Sequence, residues 1–124
     1  MNNFVTQRKD PSLTGLFYAI SFQIAGIIIA FMASSVNYAF LLFAETAGHE
    51  FALSVPIIAT ALFTIVWGDA TLRSQIANIK DASAATRKTN AHKDISTQPY
   101  GVLRLMNMGL AIALAISQFM ILLN

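Results

Sequence analysis

Two residues of this chain, His49 and His92, carry an imidazole that could ligate a metal or a haem iron. A metal or haem centre that two histidines share requires their side chains to lie close together. His49 lies between Gly48 and Glu50 in one short polar stretch, whereas His92 lies in another, and an apolar run separates the two. We therefore expect the histidines on opposite sides of a membrane, with no metal or haem site between them.

Other patterns that would predict catalysis are also missing from the sequence. There is no Gly-x-Ser-x-Gly, no His-Glu-x-x-His and no glycine-rich phosphate loop. The chain contains no cysteine, so thiolate chemistry and disulfides are excluded. Ion-coupled transport normally needs a carboxylate inside the membrane, and the nearest candidate, Glu45, lies at the edge of an apolar run. The sequence thus predicts no enzyme activity and no cofactor.

Polar side chains within the apolar runs have a different expected use. In lipid, helices associate through small residues that allow close approach and through shared hydrogen bonds. Small and polar residues recur at spacings of three and four along the first run, where the stripe also includes Ala33, and similar series occur in the other two. We expect these residues to pack between helices or against a partner: Gly15, Ala19, Gln23, Gly26, Ala30, Asn37, Thr60, Thr64, Asn107, Ala111 and Gln118.

The elements that must position these residues are membrane-spanning helices. The chain is 56% hydrophobic and 11% charged, whereas a soluble domain averages about 25% charged residues. Three uncharged runs interrupt the charges, and about 20 apolar residues suffice to cross the hydrocarbon core. We predict an all-α membrane protein with a single three-helix transmembrane domain over residues 11–124, preceded by a cytoplasmic tail at 1–10. The predicted spans are about 16–38, 51–68 and 103–123.

The first run is longer than a bilayer requires, and also longer than a cleaved signal peptide, so we expect it to be retained. The helix either tilts, breaks near Ser34-Ser35, or lies partly in the interface. A straight hairpin with the second helix would bring Arg73 and Lys80 to the depth of the first helix's apolar residues, at a high cost in free energy. This argument favours a window of 16–38, with Val36–Phe43 at the interface or in a short surface helix.

The second helix is expected to begin near Ser54, a possible N-cap, with Pro56 in its first turn. Apolar residues recur beyond the span at helical spacing, which predicts an amphipathic extension to about Lys80. Residues 81–98 are rich in Ser, Thr, Asn and Ala and indicate a solvated loop within the 69–101 connection. The third helix is expected to begin near Val102.

The distribution of basic residues predicts the orientation. Arg8 and Lys9 precede the first span, and the remaining six basic residues lie between the second and third spans. The connection between the first two spans has none. Under the positive-inside rule, the N-terminus and the 69–101 connection are cytoplasmic and the C-terminus is outside. We expect a multi-pass protein of the cell (inner) membrane.

These features favour a small non-catalytic protein, a structural or accessory subunit of a larger or homo-oligomeric membrane assembly. Its expected partners are membrane lipid and other membrane subunits or copies of itself, and a net charge of +2 does not indicate nucleic-acid binding. One alternative is a holin-like or channel-forming homo-oligomer with the polar residues lining a path. Another is a membrane adaptor that recruits a soluble partner through residues 69–98.

Overall fold

The computed structural model describes the backbone of residues 11–124 and the side chains of residues 18–124, so the predicted tail at 1–10 lies outside the described residues. Within residues 11–124 the secondary structure is helical. The helices are α1 (Pro11–Phe43), α2 (Glu50–Lys80), α3 (Ala84–Arg87), α4 (Asn90–Ser96) and α5 (Tyr100–Leu122). Segments long and apolar enough to cross a membrane are Tyr18–Phe43 in α1, and α2 and α5 in full. The prediction of an all-α chain with three such helices is confirmed.

α1 is one unbroken helix of 33 residues, which corresponds to about 50 Å at a rise of about 1.5 Å per residue. The alternatives that required a break, near Ser34-Ser35 or before a separate surface helix at Val36–Phe43, do not occur. The serine hydroxyls are satisfied without opening the helix. Ser35 Oγ donates to the carbonyl of Phe31 at 2.8 Å, and Ser34 is buried against another helix.

A tight turn joins α1 to α2. Gly48 adopts a φ of 83°, a left-handed conformation that glycine reaches at little cost, and the amide of His49 donates to the carbonyl of Thr46 at 3.0 Å. α2 then begins at Glu50 and not at Ser54. The hydroxyl of Ser54 donates to the carbonyl of Phe51 at 2.6 Å, so it bonds within the helix that it was expected to cap.

α2 passes through Pro56 and continues well beyond its apolar run to Lys80, where the amphipathic spacing predicts its end. Proline lacks an amide proton, so one intrahelical bond is lost at Pro56. The Thr60 hydroxyl donates to the carbonyl of Pro56 at 2.7 Å. At 31 residues, α2 is also longer than a bilayer requires.

Residues 81–98 were predicted to be a loop, and this prediction is wrong in part because the segment contains α3 and α4. Each short helix has a side-chain N-cap. Ser83 Oγ accepts from the amide of Thr86, and Thr89 Oγ1 accepts from the amide of His92, both at 3.2 Å. The Ser and Thr residues that suggested a loop therefore supply the N-caps of two short helices, α3 and α4.

The polar segment is also attached to the end of α2. Arg87 donates from Nη2 to the carbonyl of Lys80 and from Nε to the carbonyl of Ala82, both at 2.8 Å. The bond to Lys80 satisfies a carbonyl that the C-terminus of α2 leaves without an intrahelical partner, and the bond to Ala82 fixes the chain just beyond the helix. A ring nitrogen of His92 lies 3.3 Å from the carbonyl of Ile79, which places α4 against the same end of α2.

α2 lies between α1 and α5 and packs against both. Ile57 near the start of α2 packs with Leu41 and Leu122 at the ends of α1 and α5, whereas Trp67 and Asp69 further along α2 contact Gly26 and Arg104. Helix α2 is therefore antiparallel to both neighbours, and α1 and α5 are parallel. The start of α1 and the 81–99 segment therefore share one end of the bundle. The 44–49 turn and the end of α5 share the other, where Leu41, Ile57 and Leu122 form the apolar core.

Large apolar side chains cover the outside of the bundle. Phe22 is 75% exposed, Phe51 is 86% exposed and Leu105 is 71% exposed. A soluble protein rarely shows such a surface, whereas lipid hydrocarbon covers it without cost. The exterior thus agrees with the three apolar helices in indicating a membrane protein.

Candidate functional site

The most deeply buried polar group between the helices is the amide of Gln118, whose residue is 1% exposed. Its Oε1 accepts a hydrogen bond from Asn37 Nδ2 at 2.6 Å, and its Nε2 donates to Ser34 Oγ at 2.9 Å. Nε2 also lies 3.1 Å from the carbonyl of Leu114, one turn earlier in α5. The amide thereby joins α5 to two successive turns of α1 in a single register.

Asn107 makes the corresponding contact between α5 and α2. Its Nδ2 donates to the backbone carbonyl of Thr64 at 3.0 Å. The side chain lies directly over Gly68, where an added Cβ would lie 2.8 Å from Asn107 Cγ. Since no larger residue fits at that point without displacing the amide, Gly68 creates the space that Asn107 occupies.

Gly26 and Trp67 bring α1 and α2 together in the same manner. Trp67 Nε1 donates to the carbonyl of Gln23 at 3.3 Å, and an added Cβ on Gly26 would lie 2.8 Å from that nitrogen. The indole also stacks on Phe63, with ring centroids 5.3 Å apart. The glycine thus allows an aromatic side chain to pack across the helix backbone.

The fourth contact between long helices is ionic. Arg104 of α5 donates from Nε and Nη2 to Oδ1 of Asp69 in α2, both at 2.6 Å. The second carboxylate oxygen, Oδ2, accepts from Arg73 Nε at 2.9 Å. One carboxylate therefore holds two guanidinium groups at the end of the bundle that carries the polar segment.

Two predicted interhelical residues bond within their own helix. Thr60 Oγ1 donates to Pro56, and Thr64 Oγ1 donates to the carbonyl of Thr60 at 2.7 Å. A short hydroxyl reaches the preceding turn more easily than a neighbouring helix. Thr64 is nevertheless buried, and it accepts from Asn107 through its carbonyl.

The remaining expected residues fall into three groups. Ala30 and Ala111 are buried between helices, and Gln23 is half-buried with its carbonyl bonded to Trp67. Ala19 is exposed. The exposure and contacts of Gly15 lie outside what the structure describes, because this begins at residue 18 for side chains.

Sequence reasoning missed Ser34 and the role of Asp69. The packing stripe on α1 passes through buried Ser34, and Ala33 is exposed. Spacings of three and four both fit a helix, so the pattern alone does not select between adjacent small residues. Asp69 and Arg104 each lie next to the end of an apolar run, so both should lie at the same depth in a membrane. This equal depth is the signal from which an ion pair between them could have been predicted.

The histidines and a small cavity, which His92 helps to line, lie apart from these contacts. His49 is exposed in the α1–α2 turn, and among the described residues no three His, Asp or Glu side chains cluster as metal ligands would. A cavity of about 40 Å³, lined mostly by apolar atoms, lies between Ile20, Ile79, Thr86 and Ile95. It is large enough for only a few water molecules.

Asn37, Asn107, Gln118 and Trp67 thus form hydrogen bonds across helices, whereas the hydroxyls of Thr60 and Thr64 bond along α2. Among the described residues, every buried side-chain nitrogen and oxygen has a hydrogen-bond partner. No family model, curated protein or solved structure matches this chain.

Proposed function

We propose that this chain is a non-catalytic structural or accessory subunit of a larger or homo-oligomeric assembly in the cell (inner) membrane. It crosses the membrane three times, with the N-terminus and the 69–101 connection in the cytoplasm and the C-terminus outside. Support for the orientation comes from the basic residues, which precede α1 or lie between the apolar parts of α2 and α5. The parallel arrangement of α1 and α5 is the arrangement that three crossings require.

The observation that carries the proposal is a pair of small residues on the outside of the bundle, at which another helix can approach α5 closely. Gly109 and Ala113 lie one turn apart on α5, and both are exposed. An added Cβ on Gly109 would meet no atom within 4 Å. A small-x-x-x-small element supports helix association in lipid because it lets two backbones approach closely. The described part of the bundle leaves this element exposed, so we assign it to another subunit or a second copy.

The absence of catalysis is part of the proposal and is supported by the use of the polar side chains. Asn37, Asn107 and Gln118 bond across helices, and the hydroxyls of Thr60 and Thr64 bond along α2. These groups, together with half-buried Gln23, are the ones that would have to line a polar path in the channel alternative. Because the hydrogen bonds of the first five residues are made inside the bundle, the subunit role is favoured over the channel role.

The test is association of the full chain purified in a mild detergent. Wild-type protein should run as a complex with a partner or as an oligomer, measured by native mass spectrometry and by crosslinking in the membrane. Gly109→Leu should reduce that association, because the larger side chain separates the backbones at the proposed contact. The bundle itself should remain intact, since the position opens onto empty space.

Gly101→Leu is the matched control. Gly101 also lies on α5 with no atom within 4 Å of an added Cβ, but it stands in the first turn, before the apolar run. This variant should associate as the wild type does. A wild-type chain that is monomeric and crosslinks to nothing would overturn the proposal, and so would equal association of the Gly109→Leu and wild-type chains.

A further inference from the structure

The ionic cluster of Arg73, Asp69 and Arg104 has one more positive charge than an ion pair between α2 and α5 requires. Asp69 is largely buried, with 19% of its side chain exposed, whereas the side chains of Arg104 and Arg73 are 39% and 65% exposed. The two guanidinium groups share one carboxylate, so the cluster has a net charge of +1. A contact that only joined α2 to α5 would need Arg104 alone.

Within the described part of the chain, the cluster also has unused hydrogen-bond donors. Its described bonds use Nε of Arg73, and Nε and Nη2 of Arg104. Among the described residues, the two Nη groups of Arg73 and Nη1 of Arg104 have no protein acceptor. Guanidinium groups present several N–H donors in a fixed plane, the geometry that suits phosphate oxygens. Asp69 restrains both groups beforehand, which lowers the entropy lost when an anion binds.

The cluster lies at the boundary between the apolar runs of α2 and α5 and the charged residues, where a lipid headgroup would be the nearest anion. The uncharged run of α2 ends at Gly68, immediately before Asp69, and the uncharged run of α5 begins at Leu105, immediately after Arg104. Charged residues that flank membrane spans lie at the depth of the phospholipid headgroups. Two exposed apolar side chains, Val66 on α2 and Leu105 on α5, lie within one turn of the cluster on the membrane side.

From these observations we infer that the Arg73–Asp69–Arg104 cluster binds the phosphate of an anionic phospholipid. One phosphodiester charge neutralises the net charge of the cluster, and the donors left free by Asp69 bond to its oxygens. The acyl chains then lie along Val66 and Leu105. A zwitterionic lipid brings a positive group to the same place, so the site favours phosphatidylglycerol over phosphatidylcholine. The inference rests on the membrane insertion proposed above, and it is independent of any protein partner.

The experiment measures the lipid that the purified full chain retains. Protein in mild detergent is mixed with equal amounts of phosphatidylglycerol and phosphatidylcholine of matched chain length, and native mass spectrometry counts the adducts. The wild type should retain more phosphatidylglycerol. Arg73→Gln should reduce that retention about fivefold, the effect of losing one well-placed basic residue near a charged lipid. Arg73 is largely exposed, so this variant retains the fold.

Two further variants separate a defined site from general surface charge. Lys88→Gln removes the same charge from an exposed position at the end of α3 and should leave retention unchanged. Arg73→Lys keeps the charge but loses the planar donor group, so it should lose most of the preference. Equal losses in Arg73→Gln and Lys88→Gln, or full retention in Arg73→Lys, would show diffuse attraction and overturn the inference.

A third experiment tests whether the cluster binds a phospholipid or any free anion. Excess inorganic phosphate should not displace phosphatidylglycerol, because it lacks the acyl chains that contact α2 and α5. Complete displacement by phosphate, or equal retention of the two lipids, would contradict a phospholipid site. A chain that retains phosphatidylglycerol but stays monomeric would support this inference while overturning the proposed subunit role.

Discussion

At the scale of single residues, three amide side chains form hydrogen bonds across helices, whereas two threonine hydroxyls of α2 bond along their own helix. Gln118, Asn37 and Asn107 carry amides long enough to reach a neighbouring helix, and each makes a contact across the bundle. The threonines of α2 bond to the preceding turn. The spacing of small and polar residues selected the amide residues from sequence alone. It could not tell Ala33 from Ser34, because a helical stripe can pass through either.

The contact between Asn37 and Gln118 can be measured by a double-mutant cycle. We expect Asn37→Ala and Gln118→Leu to couple by about 0.6–1.7 kcal/mol in the free energy of unfolding, the range for hydrogen bonds between membrane helices. Unfolding in mixed micelles, followed by circular dichroism, gives the four values required.

Ser117 provides the control for that cycle. Its hydroxyl donates to the carbonyl of Leu114 at 3.0 Å and so bonds within α5. Ser117→Ala should therefore show no coupling with Asn37→Ala. Equal coupling of Ser117 and Gln118 to Asn37 would mean that the amide contact is not specific.

At the scale of elements, α2 is the helix on which the other two are assembled. Its extension to Lys80 was predictable because apolar residues continue at helical spacing past the charged boundary. The two short helices that follow were not predictable, because segments of four and seven residues are too short to show a periodic pattern. Each of these helices depends on a side-chain N-cap, Ser83 for α3 and Thr89 for α4. Hydrogen bonds from nearby side chains therefore fix where α3 and α4 form, whereas the hydropathy of the sequence predicts the three long helices.

The packing of α2 on α5 depends on the space at Gly68. Gly68→Ala should lower the free energy of unfolding by about 1–3 kcal/mol, because the added methyl group displaces the Asn107 amide from the carbonyl of Thr64. Unfolding in micelles measures the loss. Adding Asn107→Ala to Gly68→Ala should cost less than the sum of the two single changes, since the clash is then removed.

Gly101→Ala is the control for the change at Gly68. An alanine at Gly101 meets open space, and alanine favours helix more than glycine does, so stability should not fall. A loss at Gly101 equal to that at Gly68 would show that helix propensity and not packing determines the effect.

At the scale of the whole molecule, three apolar runs were enough to predict three long helices, and the distribution of Lys and Arg predicts their orientation. The runs could not predict that α2 would be central, because all three helices carry small residues on one face. That arrangement is set by the particular pairs Gly26 with Trp67 and Gly68 with Asn107, which are defined only by distance in space.

The natural absence of cysteine makes the orientation directly measurable. A single cysteine at exposed Glu45 should react with a membrane-impermeant maleimide in intact cells. One at exposed Gln98 should react only after the membrane is permeabilised. Labelling of Gln98→Cys in intact cells, with Glu45→Cys protected, would reverse the proposed orientation.

The amide of Gln118 also has a consequence for the time course of biosynthesis. It lies 81 residues after Asn37, its partner in α1. A ribosome adds about 5–20 residues per second, so α1 waits for several seconds in the lipid before that partner is synthesised. During this interval we expect the first two helices to lack the third, so that Ser34 and Asn37 have not yet formed their bonds to α5. Synthesis of α5 then supplies Gln118, so a chain truncated before this helix should leave the amide of Asn37 without the partner that it has in the complete bundle.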